Sequence, residues 1–221
     1  MFHVEQFTSN NQFIEYFREG SRKIGWEFSE KTLNMFWCYY QEICQWDRAV
    51  NLTSLRDEKE RVGLLFLDSL HGRLVLEKSP YQKIVDIGTG AGFPGIPLQI
   101  LFPDKQIDLV ESKAKKAAFL LNIIGKLNLS GSRVIQKRIE DVGENDHHSE
   151  KWDLAMIKGV NISHVTPYLR NILNENGKLM VFRSKNFDQL ASQNEMKIFK
   201  EYGYQLPFGF GDRVISLFEF I

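Results

Sequence analysis

In the stretch KIVDIGTGAGFPGIP, Lys83–Pro97, an apolar run ends in the acid Asp86 and leads into Gly88, Gly90, Gly92 and Gly95. Glycines at this spacing let a chain turn sharply and bring backbone amides against a small molecule where a strand gives way to a helix. Two further carboxylates stand where a nucleotide-like ligand has polar edges. Glu111 ends the next apolar run in DLVES, a place from which a carboxylate accepts from both hydroxyls of a ribose. Glu140 follows a third run in KRIEDV, where side chain and backbone would meet an adenine edge; a solvated turn acid is an equal reading of it.

The glycines alone fit two cofactors. Gly90, Gly92 and Gly95 spell the GxGxxG of dinucleotide loops, whereas Gly88, Gly90 and Gly92 spell GxGxG with Asp86 two residues ahead, the spacing that S-adenosylmethionine enzymes use. Charge separates the two. A carboxylate at the end of the first strand is expected to face the ligand, where it repels a pyrophosphate and attracts the cationic methionyl end of S-adenosylmethionine. Glu111 does not choose, because both ligands carry a ribose. The sequence has no second dinucleotide signature and no GxxxxGK[ST] phosphate loop, so methyl transfer is the chemistry left standing.

The elements that must position these residues fall into two textures. Residues 1–80 read as a helical cap without strand signal. Thr8 or Ser9 is placed to cap a helix running to about Lys23, and Ser29 to cap a second with Leu33, Phe36, Trp37, Tyr40 and Cys44 at helical spacing. From 81 to 221 short apolar runs alternate with amphipathic stretches. Strands are predicted at 83–87, 106–111, 133–136, 152–158, 178–183, near 204–208 and at 213–220, with helices over 95–102, 113–128, 161–174 and 186–201. This alternation predicts an α/β class, a mostly parallel sheet covered on both faces. The glycine-rich GFGD before the last run predicts an antiparallel C-terminal hairpin, and cap and sheet together are expected to form one cooperative unit.

Composition sets limits. The chain has 221 residues, 43% hydrophobic and 25% charged, with 28 basic and 28 acidic side chains. That balance argues against a self-sufficient binder of naked nucleic acid but leaves room for a local basic face. The two cysteines, Cys38 and Cys44, read as buried thiols of a reducing compartment rather than a disulfide or zinc framework. The start is neither a signal nor a transit peptide and no apolar run reaches membrane-spanning length, so a cytoplasmic protein is expected. His147 and His148 lack companions at metal spacing, so no metal is expected.

Beyond the loop, Trp46–Asp47 and Asn51–Leu52–Thr53 in WDRAVNLT, Leu67–Asp68–Ser69–Leu70 in FLDSL, and the continuation GFPGIP carry a resemblance over Trp46–Lys185. The chain resembles the bacterial small-subunit rRNA guanine methyltransferases of the GidB (RsmG) type. The resemblance implies a class I methyltransferase, Rossmann-like sheet with an N-terminal helical cap, and methylation of N7 of one guanine in 16S rRNA with S-adenosyl-L-methionine. It also implies cofactor contacts by Gly88, Phe93, Glu111, Ile139, Glu140 and Lys158, beside Asp86 and Gly90 from the loop reading. The chain departs from the family's usual pattern at three places. Lys158 and Gly159 stand for arginine and alanine, Leu65 for a histidine, and Phe182–Arg183–Ser184 for Leu-Lys-Gly. Lysine lacks the planar fork of arginine.

Guanine N7 bears an in-plane lone pair and no proton, so no general base is expected, and no catalytic residue is named. There is no NPPY-like element after the fourth strand, where IKGVN stands, and both cysteines lie in the cap, away from a C5-type nucleophile position. Positive charge for the RNA is available from Lys113, Lys115 and Lys116, from Arg133, Lys137 and Arg138, and from Lys158, Arg183 and Lys185. The last three form the preferred set because ligands bind outside the carboxyl edge of such sheets. Phe93 or Arg183 would supply a face for an unstacked guanine. The partner is then the ribosomal RNA or particle, met by a monomer. The alternatives are a methyltransferase with another RNA or small-molecule acceptor, and a module that binds cofactor or RNA without turnover.

Overall fold

The structure is a computed structural model that describes residues 11–142, 151–184 and 195–221. Asn11, rather than Thr8 or Ser9 (which lie outside the described residues), caps α1 (Gln12–Lys23) by accepting from the Ile14 amide. Ser29 caps α2 (Glu30–Val50) by accepting from Thr32, and Asn51 ends it in the left-handed conformation. A polar turn leads to α3 (Glu58–Glu60), a π-helical stretch Arg61–Leu67, α4 (Asp68–Leu70) and α5 (Arg73–Leu76).

These helices meet through rings. Phe13 stacks on Tyr40 at 4.4 Å and Phe17 on Phe36 at 4.9 Å, while Phe66 of the π-helical stretch stands edge-on to Phe13 at 5.2 Å. Each such pair adds about 0.5–1.5 kcal/mol beyond the area it buries. The buried face of α2 is Leu33, Phe36, Tyr39, Tyr40 and Ile43, so Trp37 and Cys44 fall at its margin. Both cysteines are half-buried and free, less enclosed than their sequence context suggested.

The α/β part runs β1 (Lys83–Ile87), α6 (Gly95–Leu101), β2 (Gln106–Val110), α7 (Ala114–Leu127), β3 (Val134–Ile135), a 3-10 turn (Ile139–Asp141), β4 (Trp152–Lys158), α8 (Thr166–Ile172), β5 (Leu173–Ser184), β6 (Met196–Gln205) and β7 (Asp212–Phe220). The seven strands stand in the order β3-β2-β1-β4-β5-β7-β6. The first five pair parallel, and β7 lies antiparallel between β5 and β6. In β1 the pleat sends Ile84 to one core, shared with the cap rings, and Val85 and Ile87 to the other, under Leu169 and Ile172 of α8. Asp86 therefore shares the cap-side face with Ile84.

The helix expected over 186–201 is corrected in its described part. Met196–Gln205 is an edge strand whose backbone ladder with β7 is satisfied from Met196↔Phe220 to Gln205↔Asp212. Met196, Tyr202 and Tyr204 follow a two-residue repeat, and a register shift between Ile198 and Lys200 breaks it, which let the run pass for a helix. The weak strand near 204–208 is the end of this longer one. The expected antiparallel hairpin is present, and β5 begins at Leu173, which shortens the preceding helix to Thr166–Ile172.

Candidate functional site

The glycine loop is tied down at both ends. The amides of Gly88 and Thr89 donate to the Val110 carbonyl at 2.9 and 3.1 Å, and those of Gly92 and Phe93 donate back to Thr89. Asp86 lies fully buried beneath the turn. Its Oδ2 accepts from Thr89 Oγ1 at 2.6 Å and from the Gly95 amide at 2.8 Å, whereas Oδ1 is buried without a partner among the described residues. Burial pushes the Asp86 carboxyl up to about 7, against the pull of Thr89, Gly95 and the charge of Lys158. Leaving a buried acceptor unsatisfied costs about 1–3 kcal/mol, and this enclosed, unpaired oxygen disfavours the charged form of the carboxyl.

The glycines divide by what surrounds them. Gly90 has φ +62°, and the nearest atom to a Cβ built there is the Lys116 ammonium, 3.9 Å away, so a methyl group there would meet no clash. Gly92 is spent on packing: a Cβ there would stand 2.7 Å from the Tyr39 hydroxyl and 2.6 Å from Ile96. Glu111 is buried, accepting from the Gly90 amide at 3.1 Å and the Lys113 amide at 2.7 Å. An ionised carboxylate has about four lone-pair positions, so two remain for a pair of ribose hydroxyls. Ile139 and Glu140 are half-buried in the 3-10 turn beyond β3, next to β2, with Glu140 3.7 Å from Arg138.

Gly88, Gly90, Asp86, Glu111, Ile139 and Glu140 thus gather at the carboxyl edge of β1, β2 and β3. The other expected contacts are arranged differently. Phe93 is buried, stacked on Tyr39 at 5.2 Å and edge-on to Phe66 at 5.1 Å, so its ring belongs to the cap core. Lys158 ends β4 but donates to the Leu64 carbonyl at 2.8 Å and pairs with Asp68 at 3.2 Å. Arg183 donates to Ser216 at 2.7 Å and is paired with Glu201. Lys185, His147 and His148 lie outside the described residues. Among the described residues Lys113, Lys115 and Lys137 are exposed, Lys116 is half-buried, and none is in an ion pair.

Three residues at the site escaped the sequence reading. Tyr39 donates to the Ala91 carbonyl at 2.5 Å, Thr89 braces Asp86, and Tyr204 donates to Asp68 at 2.7 Å. Only Thr89, inside the loop itself, carried a local signal. Among the described residues no set of three metal-binding side chains comes together, and no helix is long and apolar enough to cross a membrane.

Sheet order, glycine loop and terminal hairpin define the class I methyltransferase fold. Solved structures similar to the chain agree: TrmN from Thermus thermophilus (TM-score 0.54, 10% identity, covering 69% of this chain and 48% of that one) and M. jannaschii TYW2 in complex with AdoMet (TM-score 0.50, 17% identity, 70% and 77%). The chain belongs to the rRNA small subunit methyltransferase G (GidB) family, whose profile matches residues 32–213. It is 33% identical over 208 residues to the "Ribosomal RNA small subunit methyltransferase G" of Fusobacterium nucleatum, covering 91% of this chain and 88% of that one. The same-named protein of Pelotomaculum thermopropionicum is 40% identical over 146 residues, 66% of this chain but 61% of the relative's length.

Proposed function

We propose that the chain transfers a methyl group from S-adenosyl-L-methionine to N7 of a guanine in small-subunit (16S) ribosomal RNA, in the cytoplasm. The observation that carries the cofactor reading is the fully buried Oδ1 of Asp86, without a partner among the described residues, beneath the glycine turn. When bound, S-adenosylmethionine supplies an electrophilic methyl on a sulfonium. In this reading Asp86 and the turn from Gly88 to Gly90 border the methionyl end, Glu111 accepts from the ribose hydroxyls, and the Ile139–Glu140 turn borders the adenine. Membership of the family supports the ribosomal acceptor.

Because N7 holds its lone pair in the ring plane and loses no proton, the side chains have no proton to move. Their work is alignment and exclusion of water, which in a well-oriented encounter replaces several kcal/mol of entropic barrier. RNA phosphates are assigned to Lys113, Lys115, Lys116, Lys137 and Arg138, which stand at the carboxyl ends of β2 and β3. Such contacts fix the register of the RNA without reading its sequence.

The test is transfer of labelled methyl to small ribosomal subunits from cells lacking the endogenous enzyme. Label at a single guanine N7 supports the proposal. Label elsewhere supports a different acceptor, and cofactor binding with no transfer supports a non-catalytic module.

A further inference from the structure

Lys158 stands at the carboxyl end of β4, two residues beyond Met156, the register partner of Asp86. Its charge reaches the Asp86 carboxyl and stabilises the anion there. An ammonium has three N–H donors. One goes to the Leu64 carbonyl at 2.8 Å and one faces Asp68 Oδ2 at 3.2 Å, which leaves the third unassigned on a side chain that is still 17% exposed. Leu64 lies in the π-helical stretch Arg61–Leu67, a backbone irregularity that recurs at functional sites.

The holder of the ammonium is itself held. Tyr204 of β6 donates to Asp68 Oδ1 at 2.7 Å, so both carboxylate oxygens are occupied. The Tyr204 ring stacks on His71 at 3.9 Å, and His71 Nδ1 is 2.8 Å from the Leu67 carbonyl. Three separated segments, the π-helical stretch with α4, the end of β4 and the edge strand β6, therefore converge to fix one cation beside the cofactor loop. That is more apparatus than a surface lysine needs.

We infer that Lys158 reads the acceptor base: its third N–H donates to guanine O6, with Asp68 and Tyr204 as the positioning residues. This rests on the guanine-N7 reading above. On the major-groove edge of guanine, N7 and O6 are adjacent acceptors, while adenine presents an amino donor in place of O6. N7 has to keep its lone pair free to attack, so a base-reading contact on that edge falls to O6. An ammonium there accepts guanine and opposes adenine, whose amino group leaves the donor unpaired. Because Asp68 neutralises the ammonium, the purine that becomes cationic on N7 methylation meets no uncompensated positive charge.

The experiment uses small subunits reconstituted with guanine or 2-aminopurine, which lacks O6, at the methylated position, and reads the ratio of kcat/KM for the two. Any intrinsic difference in N7 reactivity is common to all enzyme variants and cancels between them. Lys158→Met is expected to shrink the guanine preference about 10- to 100-fold, the worth of a good base contact, while Lys158→Arg retains it. Tyr204→Phe is expected to shrink it less, because Asp68 still pairs with Lys158. If Lys158→Met alone fails to fold, the Asp68→Asn/Lys158→Met pair removes both charges together. A guanine preference as large in the methionine variant as in the wild type overturns the inference, as does equal wild-type use of both bases. Failure of the wild type to methylate the guanine particle at all would instead overturn the proposed function beneath it.

Discussion

The phenolic hydroxyl of Tyr39 donates to the backbone carbonyl of Ala91 at 2.5 Å, joining the second cap helix to the middle of the glycine loop. Both residues are buried, and Gly92 is the next residue along, its missing side chain making room for that hydroxyl. This hydrogen bond ties the cap directly to the glycine loop. Tyr39→Phe keeps the ring stacked on Phe93 but orphans the Ala91 carbonyl, at a cost of about 1–3 kcal/mol. We expect a lower Tm, about 2–4 °C per kcal/mol for a chain this size, together with weaker S-adenosylhomocysteine binding. Unchanged affinity in calorimetry would show that the cap does not set the loop.

Two neighbouring glycines should respond differently to alanine. Gly92→Ala drives a Cβ to within 2.7 Å of the Tyr39 hydroxyl at φ +97°, so it should lose both stability and binding. Gly90→Ala meets only ordinary contacts and bears the cost of its left-handed backbone, of order 1–2 kcal/mol. Thermal melts with and without S-adenosylhomocysteine should therefore show Gly90→Ala folded but poorly stabilised by ligand, and Gly92→Ala unstable in both.

His71 and Asp86 give stability opposite pH slopes. Burial pulls His71 down to about 4, so its neutral form stabilises the fold fully above about 6.5, and that stability is lost as pH falls toward 4. Burial pushes Asp86 up to about 7, so its protonated form stabilises the fold below about 3.8, and that stability is lost as pH rises through 7. Between about pH 4 and 6.5 each slope approaches 1.4 kcal/mol per unit and they oppose. Urea titrations of His71→Phe should show stability falling more steeply with rising pH than wild type, and Asp86→Asn the reverse. The same sign of change in both variants would refute this.

If Lys115 and Lys137 meet RNA phosphates, Lys115→Ala and Lys137→Ala should each flatten the dependence of log affinity on log salt by about 0.7–0.9. Binding to small-subunit RNA across a salt series reads this directly. A parallel loss with no change of slope would place these residues outside the phosphate contacts.

Much of this was legible in the sequence because it is local. Strands β1 and β4 end where their apolar runs end, Ser29 caps α2 through a side chain three residues from its partner, and Asp86 and Glu111 flank the loop at the strand ends. What stayed hidden depends on pairs far apart in the chain. Tyr39 and Ala91, or Tyr204 and Asp68, leave no mark in either neighbourhood, and β6 takes its strand form from β7 rather than from its own interrupted alternation. The charges of Lys158 and Arg183 looked available because Asp68 and Glu201, which hold them, are remote in sequence.

The most direct test of the central claim is calorimetric titration of wild type and Asp86→Asn with S-adenosylmethionine from pH 5 to 8. If the Asp86 carboxyl, at about 7, must ionise to meet the cationic ligand, wild-type affinity should rise toward tenfold per unit up to about pH 7 with release of a proton, then level off. Asp86→Asn should bind more weakly at pH 8 and show no such rise. Equal affinity of the two proteins at pH 8, or tighter wild-type binding of NADH than of S-adenosylmethionine, would contradict the account.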